Sequence, residues 1–163
     1  MSKVYALSGM RVGYLCGDST VISMLNRRSR PWAVGLTGQI AAVRALDASN
    51  YYQECYRITR SYREELHTAL QALGWSVIPG SANFLLCHLP NSGIGATELV
   101  QNCRQKGLYI REWAVDHSGE ETAIRIAVKD GKTNKSMVGI LKDVLYAYAL
   151  RSEVRKEVNH SGN

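Results

Sequence analysis

The strongest constraint on the fold is a change of hydrophobic period at Gly74. Before it, Tyr52, Cys55, Tyr56, Thr59, Tyr62, Leu66, Ala69, Leu70 and Leu73 recur at steps of three and four. That spacing gathers them on one face of a single long helix. Asn50 followed by Gln53 resembles a capping box at its start, and Gly74 suits the left-handed position just beyond its end. After Gly74 the pattern shortens into strand-like runs at 75–78, 84–89, 108–113 and 123–128. A helix is expected over 97–106, stopped by Gly107. A last helix is expected over 133–150, with Met137, Ile140, Leu141, Val144, Leu145 and Tyr148 as its apolar stripe. Mixed strands with helices on one face predict an α+β sandwich.

The part ahead of the long helix is less regular. Residues 10–16, MRVGYLC between Gly9 and Gly17, read as a strand. Residues 19–29 read as a short helix, with Ser19 as a possible N-cap and Val21, Ile22, Met24 and Leu25 as its apolar positions. Pro31 breaks it. From Thr37 a helix rich in small residues runs to about Asp47. The polar stretch 151–163 predicts a disordered tail.

Charge and composition exclude several functions. The chain has 163 residues and a net charge of +6, but the densest basic cluster is only Arg27, Arg28 and Arg30. The other cations interleave with acids such as Glu64, Glu65, Glu112, Glu120 and Glu121, so no basic stripe for nucleic acid forms. An anionic small molecule is the better match for the positive balance. No apolar run approaches the ~20 residues that span a bilayer, and no secretory signal opens the chain. Cys16, Cys55, Cys87 and Cys103 show no metal-ligand spacing. They read as reduced thiols in a cytoplasmic protein and as small core residues. His67, His88, His117 and His160 are too scattered for a metal site or a triad, and Trp32, Trp75 and Trp113 read as packing residues.

Chemistry concentrates in the opening stretch, MSKVYALSGMRVGY. A lysine amine captures carbonyls as a Schiff base when its surroundings lower its pKa. An arginine fork binds phosphate bidentately. Lys3 and Arg11, separated by a turn at Gly9, are therefore suited to an aldehyde that carries a phosphate, such as pyridoxal phosphate (PLP). On spacing alone, a solvated lysine and a surface arginine are the simpler reading.

Ser2-Lys3 and Gly9-Met10-Arg11-Val12-Gly13-Tyr14 resemble the lysine segment of fold-type I PLP enzymes of the class I/II aminotransferase group. The resemblance continues in order. Arg30-Pro31-Trp32-Ala33-Val34 and Gln39-Ile40-Ala41-Ala42 resemble the approach to the interdomain helix, and Ser81-Ala82-Asn83-Phe84-Leu85-Leu86 resembles a small-domain strand. Ile110-Arg111 and Ile124-Arg125-Ile126-Ala127-Val128 resemble the two later strands. It covers about 2–148 and is closest to histidinol-phosphate aminotransferases and threonine-phosphate decarboxylases. Pro31-Trp32, 108–111 and 125–128 lean toward the decarboxylase, and Tyr5 fits its pattern.

The resemblance implies the C-terminal part of the PLP-dependent transferase fold, an α/β (α+β) class. It divides the chain into 1–46 from a large PLP-binding domain, 47–74 as the interdomain helix, 75–150 as a small domain, and the tail. It implies that Lys3 is the catalytic Schiff-base lysine and moves the proton at Cα. Ser2 and Arg11 bind the cofactor with it. Arg125 grips the substrate's α-carboxylate, and Asn83 and Arg111 lie at the substrate. Read from the residues, Asn83 is equally a turn residue at a strand entry. Arg125 points away from Ile124 and Ile126 by alternation, which also suits a solvated surface. Arg111 and Lys129 suit a second substrate anion or a plain surface role.

The expected activity is transfer of an amino group on an amino acid or amino-phosphate substrate, with threonine-phosphate decarboxylation as the alternative. No metal is expected. Family members carry a long segment before the lysine, so the chain reads as a truncated portion. It is expected to self-associate as a dimer, to await a missing N-terminal half, or to persist as a non-catalytic module. Lys3 is expected to lack support at a frayed end, and strand 10–16 to offer an open edge.

Overall fold

A computed structural model describes residues 1–90, 93–114 and 122–160. His117, Glu120 and Glu121, and the tail beyond His160, lie outside the described residues. The chain forms two compact units, Met1–Tyr56 and Arg57–Asn163.

In the first unit the predicted strand over 10–16 is absent. Ser8–Met10 forms one 3-10 turn and the chain then runs without regular structure to α1 (Ser19–Arg28). A strand exists only through its ladder, and no neighbouring strand accompanies this segment among the described residues of the unit. Asp18, rather than Ser19, caps α1: its carboxylate accepts from the Thr20 and Val21 amides at 2.8 and 3.4 Å. Those hydrogen bonds hold the Asp18 carboxyl below the usual carboxylate range. Helix α2 (Leu36–Asp47) follows, and its small residues matter. A Cβ on Gly38 would meet the Met10 carbonyl at 3.0 Å and Val34 Cγ1 at 3.3 Å, so glycine lets 10–12 lie against the helix with Val12 buried.

Helix α3 (Ser49–Gln71) contributes its first two turns to this unit and the rest to the second. All nine positions of the predicted stripe are at least half-buried, and Leu66 and Leu70 are fully so. The helix closes as expected on Gly74, at φ +80°.

The second unit is a four-stranded sheet of order β1-β2-β4-β3: β1 (Ser76–Val77), β2 (Phe84–His88), β3 (Arg111–Ala114) and β4 (Thr122–Ala127). Every pairing among the described residues is antiparallel, so the sheet they form is not mixed as its sequence suggested. Helices α4 (Ala96–Gln105) and α5 (Gly131–His160) pack with the end of α3 on one face. Alternation sends Leu85, Cys87, Ile124 and Ile126 into that core, against Leu66, Leu70, Leu99, Cys103, Leu141 and Val144. Cys87 and Cys103 are thus core residues as expected, and burial pushes their thiols up to about 12 and about 11. Cys16, by contrast, is exposed. Trp75 is buried, whereas Trp32 is 94% exposed and not a packing residue of its unit.

Helix α5 starts two residues before the predicted position and passes the expected end at Leu150 to reach His160. Residues 151–158 are mostly good helix formers, and Arg151 Nε and Ser152 Oγ donate to the carbonyls of Ala147 and Ala149. At its start Asp130 accepts from the Thr133 amide and hydroxyl, which lowers its pKa. Inside the first turns Asn134, 5% exposed, brackets the β4–α5 connection. Its Oδ1 accepts from the Lys129 amide at 2.9 Å, and its Nδ2 donates to the Lys129 carbonyl at 2.9 Å and the Tyr62 carbonyl at 3.4 Å.

Candidate active site

The predicted site residues fall into two groups, one in each unit. Ser2, Lys3 and Arg11 lie in the first; Asn83, Arg111 and Arg125 lie in the second.

Lys3 is exposed, but its segment is not frayed. Residues 1–6 close into a turn through the Tyr5 amide to the Met1 carbonyl (3.1 Å) and the Ala6 amide to the Lys3 carbonyl (3.4 Å). Two tyrosines of α3 then fix it from the side. Tyr56 donates its hydroxyl to the Val4 carbonyl at 3.2 Å, and Tyr52 to the Tyr5 carbonyl at 3.4 Å. The rings of Tyr5 and Tyr52 meet edge-on, with centroids 4.8 Å apart. Tyr56 is held above its ordinary pKa, by desolvation first and by the neighbouring Tyr5 and Tyr52 second, so it stays a neutral donor. Sequence reasoning counted Tyr52 and Tyr56 as apolar stripe residues and gave Tyr5 no role. Only a helix face carrying hydroxyls at a four-residue step hinted at the arrangement.

Arg11 is placed by its neighbours. Met10 and Val12 dock on α2 at Gly38, and Arg11 between them takes φ +50°, in the left-handed region. A non-glycine residue held there stores strain that surrounding contacts must offset. Its Nη1 donates to the Ser8 carbonyl at 3.2 Å, across the turn containing Gly9. The segment therefore presents a primary amine, a hydroxyl and a guanidinium from a backbone that is hydrogen-bonded and packed at both ends. That donor set fits an aldehyde bearing a phosphate.

In the second unit the arginines occupy the sheet face opposite the core. Arg125 pairs with Leu86 on one side and with Arg111 on the other. Its guanidinium stacks 4.1 Å from the Phe84 ring centroid and 5.8 Å from that of Trp113. Trp113, 43% exposed, is thus a wall of this arginine site and not the packing residue its sequence suggested. Half-burial against two rings holds the fork in place while its charge remains. Arg111, exposed, lies directly cross-strand. Two like charges so placed repel each other, and an anion between them relieves the repulsion. The Asn83 carbonyl accepts from the Val128 amide at 2.9 Å, one step beyond the β2–β4 ladder, so its backbone serves the strand entry while its side chain stays exposed. Lys129 is exposed and held by its backbone to Asn134. Among the described residues no cluster of histidine, cysteine and carboxylate side chains suits a metal, and no helix is long and apolar enough to cross a membrane.

The model of the family "Aminotransferase class I and II" matches residues 1–141. The chain belongs to that family. It is 32% identical over 145 residues to a histidinol-phosphate aminotransferase of Roseiflexus castenholzii, with 88% of this chain and 38% of the relative covered. The solved histidinol-phosphate aminotransferase from Clostridium acetobutylicum superposes with a TM-score of 0.79 at 25% identity, over 88% of this chain and 43% of that one. The L-threonine-O-3-phosphate decarboxylase from Porphyromonas gingivalis shares the fold at a TM-score of 0.68 and 23% identity, over 89% of this chain and 45% of that one. The chain spans less than two fifths of the length of the curated relatives it matches first.

Proposed function

We propose that this chain is the lysine-bearing portion of a PLP-dependent aminotransferase acting on a small amino compound with a carboxylate or phosphate. The observation that carries the reading is the fixed backbone around Lys3 and Arg11, held by Tyr52, Tyr56 and Gly38. A solvated terminal lysine needs no such support.

In this reading Lys3 supplies the amine that anchors the cofactor's aldehyde and then moves the proton at the substrate's Cα. Arg11 binds the cofactor phosphate through its fork, with the Ser2 hydroxyl alongside. PLP, when bound, supplies an electron-poor ring that stabilises negative charge at Cα. Arg125 receives the substrate carboxylate, its orientation set by Phe84 and Trp113. Arg111, beside it, suits a second anion, and Asn83 stands exposed at the entry to β2, next to Phe84. Decarboxylation of a phosphorylated amino acid is the second reading, favoured by the Arg111–Arg125 pair, which would suit a substrate bearing two anions.

The first unit leaves Leu36, Ile40, Val43 and Leu46 exposed in one stripe along α2, with Val21, Met24 and Leu25 exposed on α1. An apolar face of that extent is ordinarily covered, and we assign its cover to a second copy of the chain. A monomer in sedimentation velocity at high concentration would overturn that assignment.

The cofactor assignment is tested by titrating PLP into the purified chain, reducing with borohydride and mapping the modified peptide. One pyridoxyl adduct at Lys3, absent in Lys3→Ala and weakened in Arg11→Gln, is expected. Adducts scattered over several surface lysines, or none, would leave this chain as a folded module without cofactor chemistry.

A further inference from the structure

Helices α4 and α5 enclose an open cleft of about 400 Å³. It is lined by Asn102, Gln105 and Lys106 from the end of α4, and by Val144, Ala147, Leu150 and Arg151 from α5. That volume lies within the range of small-molecule sites. Both helices lie in the layer that covers the core face of the sheet, whereas Arg111 and Arg125 occupy the opposite face. A molecule in the cleft therefore belongs to a different place from a substrate at Arg125.

The lining has a definite chemistry. Val144, Ala147 and Leu150 give an aliphatic floor. Around it stand two cations and two amides, and among the described residues none that line the cleft is acidic. Asn102 Nδ2 is buried and has no hydrogen-bond partner among the described residues. That nitrogen is closed to solvent, so the cationic groups open to a ligand are those of Lys106 and Arg151. The carbonyl end of α4 opposes an anion there. That opposition is blunted, because the Cys103 carbonyl accepts from the Lys106 and Leu108 amides and the Arg104 carbonyl from the Gly107 amide.

We propose that this cleft binds a small organic acid, with its carboxylate at Lys106 and Arg151 and its hydrocarbon body on Val144, Ala147 and Leu150. The two halves of the lining demand both parts of such a molecule. An inorganic anion would leave the aliphatic floor wet, and a neutral or cationic amphiphile would leave the donors unanswered.

The test is a titration of the full ¹⁵N-labelled chain with hexanoate, hexylamine and inorganic phosphate, followed by amide chemical shifts. Hexanoate is expected to move the side-chain amides of Asn102 and Gln105 saturably, and more tightly than either other probe. The double variant Lys106→Gln/Arg151→Gln changes two exposed side chains and is expected to weaken hexanoate by about tenfold, the scale of one charge-assisted contact. Ala147→Leu keeps both charges and fills the floor, and is expected to abolish binding. Hexylamine or phosphate binding as tightly as hexanoate would overturn the proposal. So would hexanoate shifts that fail to saturate, or that both variants leave unchanged.

Discussion

Replacing Asn134 by alanine removes the polar bracket between the sheet and α5. The side chain is 5% exposed and makes two hydrogen bonds of 2.9 Å to the Lys129 backbone, plus one of 3.4 Å to the Tyr62 carbonyl. Each well-formed bond contributes about 1 kcal/mol net, and a stranded, partly buried backbone group costs about 1 kcal/mol more. Water reaches part of the vacated site, since Lys129 is exposed. The sum is about 2–3 kcal/mol. With a urea slope of about 2 kcal/mol/M, the unfolding midpoint should fall by about 1–1.5 M. Trp75 is buried in the same unit, so its fluorescence follows the transition directly. Lys132→Ala, on the same helical turn but exposed, is the control and should shift stability by less than about 0.5 kcal/mol. A midpoint for Asn134→Ala within about 0.3 M of the parent would refute the bracket as a source of stability. A shift as large in the control would do the same.

Three further outcomes follow from packing and titration. Leu141→Ala, at a fully buried site between α5 and the sheet, should cost about 2–5 kcal/mol by the same denaturation; a loss below 1 kcal/mol would mean the core there collapses around the gap. Gly38→Ala places a Cβ 3.0 Å from the Met10 carbonyl, so 10–12 should lift from α2 and trypsin should cleave after Arg11 several-fold faster; an unchanged rate would contradict the packing. Burial raises the folded pKa of Cys87 to about 12 and of Cys103 to about 11. The unfolded thiols ionise near 8.5, so the unfolded state loses protons first and stability falls as pH rises through 9 to 11. The fall should be shallower in Cys87→Ala, and an equal slope would refute the assignment.

What the sequence disclosed was whatever depends on near neighbours. The stripe from Tyr52 to Leu73 needs only the helical period, and Gly74 and Gly107 needed only their freedom at φ +80° and +78°. Arg125 was legible because alternation sets it opposite Ile124 and Ile126, and the strand does so. The misreadings depend on distant partners. Residues 10–16 carry a strand-like pattern, but no ladder forms for them among the described residues, and Val12 is buried on a helix glycine instead. The hydroxyls of Tyr52 and Tyr56 find carbonyls 47 and 52 positions away, which no periodicity announces. The direct pairing of Arg111 with Arg125 is a matter of register, which short runs leave open.

That register ties the arginine site to the core more closely than their separate roles suggest. Ile124, Arg125 and Ile126 are consecutive in β4, and both isoleucines are fully buried on the other face. A one-residue slip of β4 in its ladder would turn a guanidinium into the interior and two isoleucines out to water. Such a slip would cost the burial of both isoleucines together with the arginine site. A change of specificity at this face is therefore compatible with the core when it exchanges Phe84, Arg111 or Trp113 in place, without altering the register of the strand.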